Sequence, residues 1–133
     1  MKRVVIDTNV LVSSTLTAEG NSAKVFNLVS NKQIQLIYCP AILDEYKRVL
    51  AYKKLNIKLQ TQRKILTLIE KLGIVIMPGF SKIPMPDESD RVFYDTAQMS
   101  KAILVTGNIK HYPLESFIML PADFLKTLNT DEI

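Results

Sequence analysis

The chain has few of the residues from which redox and zinc sites are built: Cys39 is its one cysteine and His111 its one histidine. A single cysteine cannot form an intrachain disulfide, which fits a reducing compartment. The sequence has no cluster of cysteines and histidines that would make a zinc site. We expect Cys39, in the apolar segment "IQLIYCP", to be a small core residue. We expect His111, in "NIKHYP", to be a turn or surface residue rather than a catalytic base.

Motifs for nucleotide and membrane binding are missing as well. The sequence has neither G-x-x-x-x-G-K-S/T nor G-x-G-x-x-G, so the use of a nucleoside triphosphate is not supported. The apolar stretch after Lys2 and Arg3 is interrupted at Asp7, and no small-residue cleavage site follows, so no signal peptide is expected. No apolar run approaches the length of a membrane span. We therefore expect a cytoplasmic protein without a membrane partner.

The composition is that of an ordinary globular domain, 47% hydrophobic and 23% charged. A length of 133 residues is close to the commonest size of one domain, so we expect a single domain over residues 1–133. The formal net charge of +4 and a pI near 9.2 permit an anionic partner without requiring one.

Short apolar runs alternate along the chain with longer amphipathic stretches. Runs rich in Val and Ile predict strands at 3–6, 34–39, 73–78, 102–106 and 117–120. Helical spacing, caps and stops predict helices at 21–31, 40–55, 58–73, 87–102 and 121–128. The alternating order of strands and helices, together with strands that are apolar on both faces, predicts an α/β domain with a mainly parallel sheet of about five strands. We expect residues 129–133 to form a frayed tail, and the loop 79–88 to be mobile or to face a substrate.

Acidic residues recur where the predicted strands end. Asp7 follows strand one, Glu45 lies about one and a half turns into the helix after strand two, and Asp90 begins the fourth helix. Strand four ends near Thr106, followed by Asn108. Sites in open α/β sheets form beyond the carboxyl ends of the strands. The fourth helix reaches that edge only if its N-terminal end points there, and the connectivity alone leaves this open.

Each of these residues also has a simpler interpretation. Asp7 is compatible with a turn in which it binds its own backbone. Glu45 is compatible with an exposed helical acid paired with Lys47 or Arg48. Asp87 and Asp90 suit a helix N-terminus through the helix dipole, and Asn108 suits a Gly-Asn turn.

Taken together, the acids indicate more than each does alone. Several carboxylates at one edge repel one another and raise one another's pKa unless a cation is present. Oxygen-only ligands suit Mg²⁺ or Mn²⁺, which position and help to ionise a water and stabilise charge on a phosphoryl oxygen. Hydrolysis of a phosphodiester therefore fits both the candidate ligands and the basic net charge.

Four segments in order resemble the PIN-domain family: "VVIDTNVLVSS", "PAILDEYKRVL", "DESDRVFYDTA" and "ILVTGNIKHYP". The similarity covers nearly the whole chain and is greatest to the PIN-type (VapC-like) toxin components of toxin–antitoxin systems. It implies a three-layer α/β/α domain, a Mg²⁺- or Mn²⁺-dependent endoribonuclease acting on RNA, a protein antitoxin as partner, and a homodimer. Two alternatives stay open, an RNA-binding member without cleavage and a protein that mainly binds an antitoxin.

The resemblance also assigns roles to residues of this chain. Asp7, Glu45 and Asp90 match the first three acids of the family motif and are thereby catalytic residues and metal ligands. Asn108 stands where many members have a fourth acid, and Thr106 belongs to the Thr-Gly pair before it. Asp95 is a candidate to compensate, although a helical wheel puts it about 140° from Asp90. Thr8 and Asn9 match the polar residues that steady the first acid.

Overall fold

A computed structural model of the chain describes the backbone of residues 1–131 and the side chains as far as residue 128. Five short strands form one sheet: β1 (Arg3–Ile6), β2 (Gln35–Tyr38), β3 (Ile74–Val75), β4 (Ile103–Val105) and β5 (Ile118–Met119). Their order across the sheet is β3-β2-β1-β4-β5, and every neighbouring pair is parallel. The predicted parallel sheet of five strands is confirmed.

Six α-helices accompany the strands: α1 (Thr8–Leu16), α2 (Asn21–Ser30), α3 (Pro40–Leu50), α4 (Leu59–Leu72), α5 (Arg91–Ser100) and α6 (Pro121–Asp131). All five predicted helices are present, but α3 ends at Leu50 rather than at residue 55. The last helix continues to Asp131, into the segment predicted to be a frayed tail. Residues 132 and 133 of that predicted tail lie outside the described residues. None of the helices within residues 1–131 is both long and apolar enough to cross a membrane.

The helix α1 has no counterpart in the predicted order. Its sequence, "TNVLVSSTL", is rich in β-branched residues and serines, which have modest helix propensity. Its buried apolar residues, Val10, Leu11 and Val12, are consecutive, so they do not form the spaced stripe that marks a helix. The helix is stabilised instead by tertiary burial and by Asp7, whose side chain accepts from the backbone N–H of Asn9.

The central strand β1 is enclosed on both faces. Val4, Val5 and Ile6 are at most 1% exposed, and successive side chains of a strand point to opposite faces. Helices must therefore cover both faces, which gives the α/β/α layering. Right-handed crossovers place α1 to α4 on one face, and α5, which follows the reversal from β3 to β4, on the other. The helix α5 packs against β1, β2 and β4.

This connectivity settles which way α5 points. The chain leaves the carboxyl edge of the sheet after β3 and must enter β4 at the opposite edge, because the two strands are parallel. The helix therefore starts at the carboxyl edge, and Asp90, which immediately precedes Arg91 at its N-terminus, lies there. Asp7 after β1, Thr106 after β4 and the start of α3 after β2 reach the same edge.

The segment between β3 and α5 is fixed to the body of the protein by Arg91, whose side chain is buried. The guanidinium donates to the Ser81 carbonyl (2.6 Å), the Ser81 hydroxyl (2.9 Å) and the Ile83 carbonyl (2.7 Å). It also forms two hydrogen bonds with Glu88 and lies 4.7 Å from the centre of the Phe80 ring. These contacts tether the loop to the start of α5, and its mobility stays a prediction.

We expect Arg91→Ala to release this loop. Three loop acceptors lose their donor, so the amides of residues 81–83 should exchange with deuterium about tenfold faster. The measurement is native-state hydrogen exchange, with Arg63→Ala on the exposed side of α4 as the matched control. Unchanged exchange in this segment would show that Arg91 does not hold the loop.

Candidate active site

Asp7 lies at the carboxyl end of β1 and is 7% exposed. Its Oδ1 accepts from the backbone N–H of Asn9 at 3.4 Å, which caps α1. Its Oδ2 accepts from the Thr106 hydroxyl at 2.8 Å and from the Tyr112 hydroxyl at 3.0 Å. Asp7 is thus both a buried acid and a residue that binds the backbone two positions on. Its carboxylate is held in a fixed orientation.

Glu45 is brought beside this acid by its neighbours on α3. The Tyr46 hydroxyl, fully buried, donates to the Ile6 carbonyl and fastens α3 to the end of β1. The Thr8 hydroxyl donates to Glu45 Oε2. Glu45 Oε1 is 3.8 Å from an exposed Arg48 guanidinium, so the surface ion pair expected from the sequence is also present.

Of the three predicted acids, Asp90 has the least hydrogen bonding. Its side chain is 16% exposed, and its Oδ2 is buried without a hydrogen-bond partner. Burial, and then the charges of Asp7 and Asp87, raise the pKa of Asp90 to about 6. Glu45 acts in the same direction. The three predicted acids are therefore close enough to one another for their charges to interact, on three separate segments of the chain.

Thr106 and Asn108 differ in burial and in the side chains that they contact. The Thr106 hydroxyl is fully buried and accepts from the Asn108 backbone N–H at 3.1 Å while donating to Asp7. The exposed Asn108 amide contacts His111, with 2.8 Å between Nδ2 and Nε2. His111 Nδ1 in turn lies 3.5 Å from Asp90 Oδ2. The structure thus connects Asn108 to the acids through an imidazole.

Asp95 faces away from this group, as the helical wheel indicated. It is buried and its Oδ2 accepts from the Ser81 backbone N–H at 3.1 Å, while its Oδ1 has no partner. It lines a pocket of about 420 Å³ together with Met77, Phe80 and Arg91. It is not among the charges that shift the pKa of Asp90. Asp95 therefore contacts the loop 79–88 rather than the other acids.

Asp87 lies at the start of a helical turn, which agrees with the helix N-terminal position that the sequence suggested for it. Its Oδ1 accepts from the Ser89 backbone N–H at 3.0 Å and from the Ser89 hydroxyl at 2.8 Å, and it caps the short helical turn Glu88–Asp90. The hydrogen bonds from Ser89 lower the pKa of Asp87.

Tyr112 is the site residue that the sequence analysis missed. It is 4% exposed, and its hydroxyl donates directly to Asp7. Burial, and then the charges of Asp7 and Asp90, raise the pKa of Tyr112 far above its ordinary value, so it remains a proton donor. It lies six residues after Thr106, in the segment that leaves β4, but no pattern in the sequence distinguishes it.

We expect Tyr112→Phe to fold but to unfold at lower denaturant. Asp7 loses one of three donors and stays buried, which should lower the free energy of unfolding by about 1–2 kcal/mol. Urea titration measures this, and Tyr52→Phe, at a partly exposed ring outside the site, is the matched control. Equal stability of Tyr112→Phe and the parent chain would contradict the assigned hydrogen bond.

The donors at this edge suit a hard divalent cation. Among the side chains described, residues 1–128, no three His, Cys, Asp or Glu form a ready-made metal cage. The donor chemistry nevertheless fits Mg²⁺ or Mn²⁺, because the three acids offer only oxygen and Asp90 Oδ2 is buried without a partner. A bound cation would satisfy that oxygen and offset the repulsion that raises the pKa of Asp90.

Comparison with known proteins agrees with this architecture. A sequence model of the PIN domain matches residues 3–110, from β1 to the segment after β4. An uncharacterized protein of Methanocaldococcus jannaschii is 33% identical over 113 residues, which are 80% of this chain and 70% of that protein. The matched range contains the three acids, Thr106 and Asn108, whereas His111 and Tyr112 lie just beyond it. The chain therefore belongs to the PIN-domain family, whose members are typically nucleases.

Proposed function

We propose that this protein is a divalent-metal-dependent endoribonuclease that hydrolyses phosphodiester bonds of RNA. The observation that supports this most directly is the meeting of Asp7, Glu45 and Asp90 at the carboxyl edge of the sheet. The raised pKa of Asp90, with its unpartnered oxygen, is what an acidic site built for a cation has in the cation's absence.

The three carboxylates are the groups that would hold the ion, Mg²⁺ or Mn²⁺. Such an ion lowers the pKa of a coordinated water and stabilises negative charge on a phosphoryl oxygen. The residues around the carboxylates keep them in place: Thr106 and Tyr112 orient Asp7, and Thr8 orients Glu45. These hydroxyls restrict the rotation of the carboxylates, so less conformational freedom is lost when a substrate phosphate binds.

The rim of the site carries positive charge. Arg48 is exposed beside Glu45, and Lys110 is exposed next to His111. Together with the net charge of +4, these two exposed cations favour an anionic polymer as substrate. Binding to RNA should therefore weaken as salt increases.

The cleavage experiment uses a labelled single-stranded RNA with Mg²⁺, with Mn²⁺ and with EDTA. We expect products with either ion and none with EDTA. Circular dichroism of the same samples shows that the protein is folded throughout. Absence of products with both ions, from a folded protein, would rule out the nuclease on that RNA.

A toxin role, with a protein antitoxin and a homodimer, extends this proposal. It is supported by the four ordered segments that resemble PIN-type toxins. Co-expression with the neighbouring gene of the same operon, followed by purification of the complex, tests it. Failure of any such neighbour to bind would count against the antitoxin. A cytoplasmic location stays a prediction.

A binding protein without cleavage is the second candidate, and Asn108 is the observation that favours it. An amide at the position of a fourth acid removes one negative charge, and here the amide contacts His111 instead of a carboxylate. This alternative predicts salt-sensitive RNA binding with no metal-dependent products.

A further inference from the structure

His111 and Asp90 lie at a separation that is too long for a hydrogen bond. His111 Nδ1 is 3.5 Å from Asp90 Oδ2, and that oxygen is buried with no hydrogen-bond partner. The two atoms are within ion-pair distance, and the other imidazole nitrogen contacts the Asn108 amide at 2.8 Å.

The same separation suits two ligands of one cation. Two atoms that each bind an ion at about 2.1 Å lie about 3.0 Å apart at a right angle and about 3.4 Å apart at the tetrahedral angle. The observed 3.5 Å is close to the upper of these values. Asp90 Oδ2 and His111 Nδ1 are thus spaced as a pair of ligands.

Asn108 is placed to orient the imidazole for this role. A histidine that binds a metal through one ring nitrogen usually donates its other N–H to an oxygen, which fixes the ring and the tautomer. A half-turn of the Asn108 amide exchanges its oxygen and nitrogen, after which Oδ1 accepts the Nε2–H of His111. The lone pair of Nδ1 then faces Asp90.

We propose that His111 supplies a nitrogen ligand beside Asp90, oriented by Asn108, and that the site thereby prefers a divalent transition-metal ion over Mg²⁺. The inference rests on the proposed metal-dependent function. Its chemical basis is that imidazole nitrogen suits first-row transition metals, whereas Mg²⁺ prefers oxygen alone. It also gives Asn108 a function other than that of a weakened fourth ligand.

Binding of Co²⁺ and of Mg²⁺ to the metal-free protein tests this without any substrate. Calorimetry gives both affinities, and NMR follows the imidazole N–H, which is assigned without ambiguity because the chain has one histidine. We expect His111→Ala to lower Co²⁺ affinity roughly tenfold or more while changing Mg²⁺ affinity less than about threefold. In the parent protein, Co²⁺ should shift the imidazole N–H resonance far outside its ordinary range.

The orienting role of Asn108 has its own variants. Asn108→Ala should lower Co²⁺ affinity in the same direction, and Asn108→Asp, which keeps an acceptor for Nε2–H, should retain it. Asn27→Ala, at an exposed asparagine of α2, is the matched control and should leave both affinities unchanged.

The outcomes separate this inference from the proposed function. If the parent protein binds both ions and His111→Ala lowers neither affinity, or lowers both equally, His111 is not a ligand and the carboxylate site stands. If the parent protein binds neither ion, both the histidine ligand and the metal-dependent nuclease are overturned. A further outcome is that cleavage depends on a metal and His111→Ala has the same preference between Co²⁺ and Mg²⁺ as the parent protein. That outcome would overturn the inference and leave the proposed function standing.

Discussion

Asp7→Asn is expected to abolish metal-dependent cleavage of RNA, by roughly a thousandfold or more, which corresponds to about 4 kcal/mol of transition-state stabilisation. The carboxylate is central to the site: it receives hydrogen bonds from Thr106 and Tyr112 and contributes to the raised pKa of Asp90. An amide at this position keeps the size of the side chain but removes the charge that a divalent cation requires. Product formation per unit time on labelled RNA measures the loss.

The fold should survive this substitution. Asparagine is as good a helix N-cap as aspartate, so the contact with the Asn9 backbone N–H is kept. The Thr106 and Tyr112 hydroxyls both donate and accept, so they can reorient toward an amide NH₂. Unchanged circular dichroism together with lost activity would locate the defect in the chemistry. Cleavage at the parent rate would mean that Asp7 is not a ligand.

Asp90→Asn is expected to make the metal-free protein more stable at pH 8, by up to about 3 kcal/mol. The pKa of Asp90 is about 6 in the folded chain, against an ordinary value of 3.8. Below pH 3.8 the group is protonated in both the folded and the unfolded chain, and its burial costs little. Between pH 3.8 and about 6 the unfolded chain ionises this group while the folded chain keeps its proton, so the free energy of unfolding falls over this window. In Asp90→Asn the free energy of unfolding does not fall over this window.

Urea titration in EDTA at pH 4 and at pH 8 measures the effect, and Asp44→Asn, at an exposed residue of α3, is the matched control. Asp44 is not among the charges that raise the pKa of Asp90, so removing its charge should leave the stability almost unchanged. Excess Mg²⁺ should stabilise the parent chain and should stabilise Asp90→Asn much less. Equal stability of the parent and Asp90→Asn at pH 8 would contradict the electrostatic coupling of the acids.

The sheet, and the position of Asp7 at the end of β1, were predictable from the sequence because both depend on regular patterns, whereas the position of Asp90 depended on the strand order. Five apolar runs separated by helical stretches specify parallel strands, and parallel strands end at one edge. Asp7 and Asp90 interrupt or border apolar segments, which is unfavourable unless they have partners. The family resemblance added Glu45, which the residues alone left as an exposed helical acid, and the structure shows it in contact with both Thr8 and Arg48.

What the sequence did not reveal depends on contacts between distant residues. The helix α1 is formed by residues of modest propensity, whose burial only the folded sheet supplies. Tyr112 meets Asp7 across 105 positions of the chain, and no local pattern marks such a contact. The tethering of loop 79–88 depends on Arg91, which the sequence presents as an ordinary charged residue near a helix N-terminus.

The central position of β1 has a consequence for how the protein is made. The first strand in the sequence pairs with β4, Val4 lying against Ile103, and Asp7 receives its hydrogen bond from Thr106. At about 5–20 residues per second, a ribosome has translated most of the chain before these partners exist. A nascent chain of this topology therefore has no assembled acidic site until β4 has been made. Pairing across so long a stretch also favours slow folding.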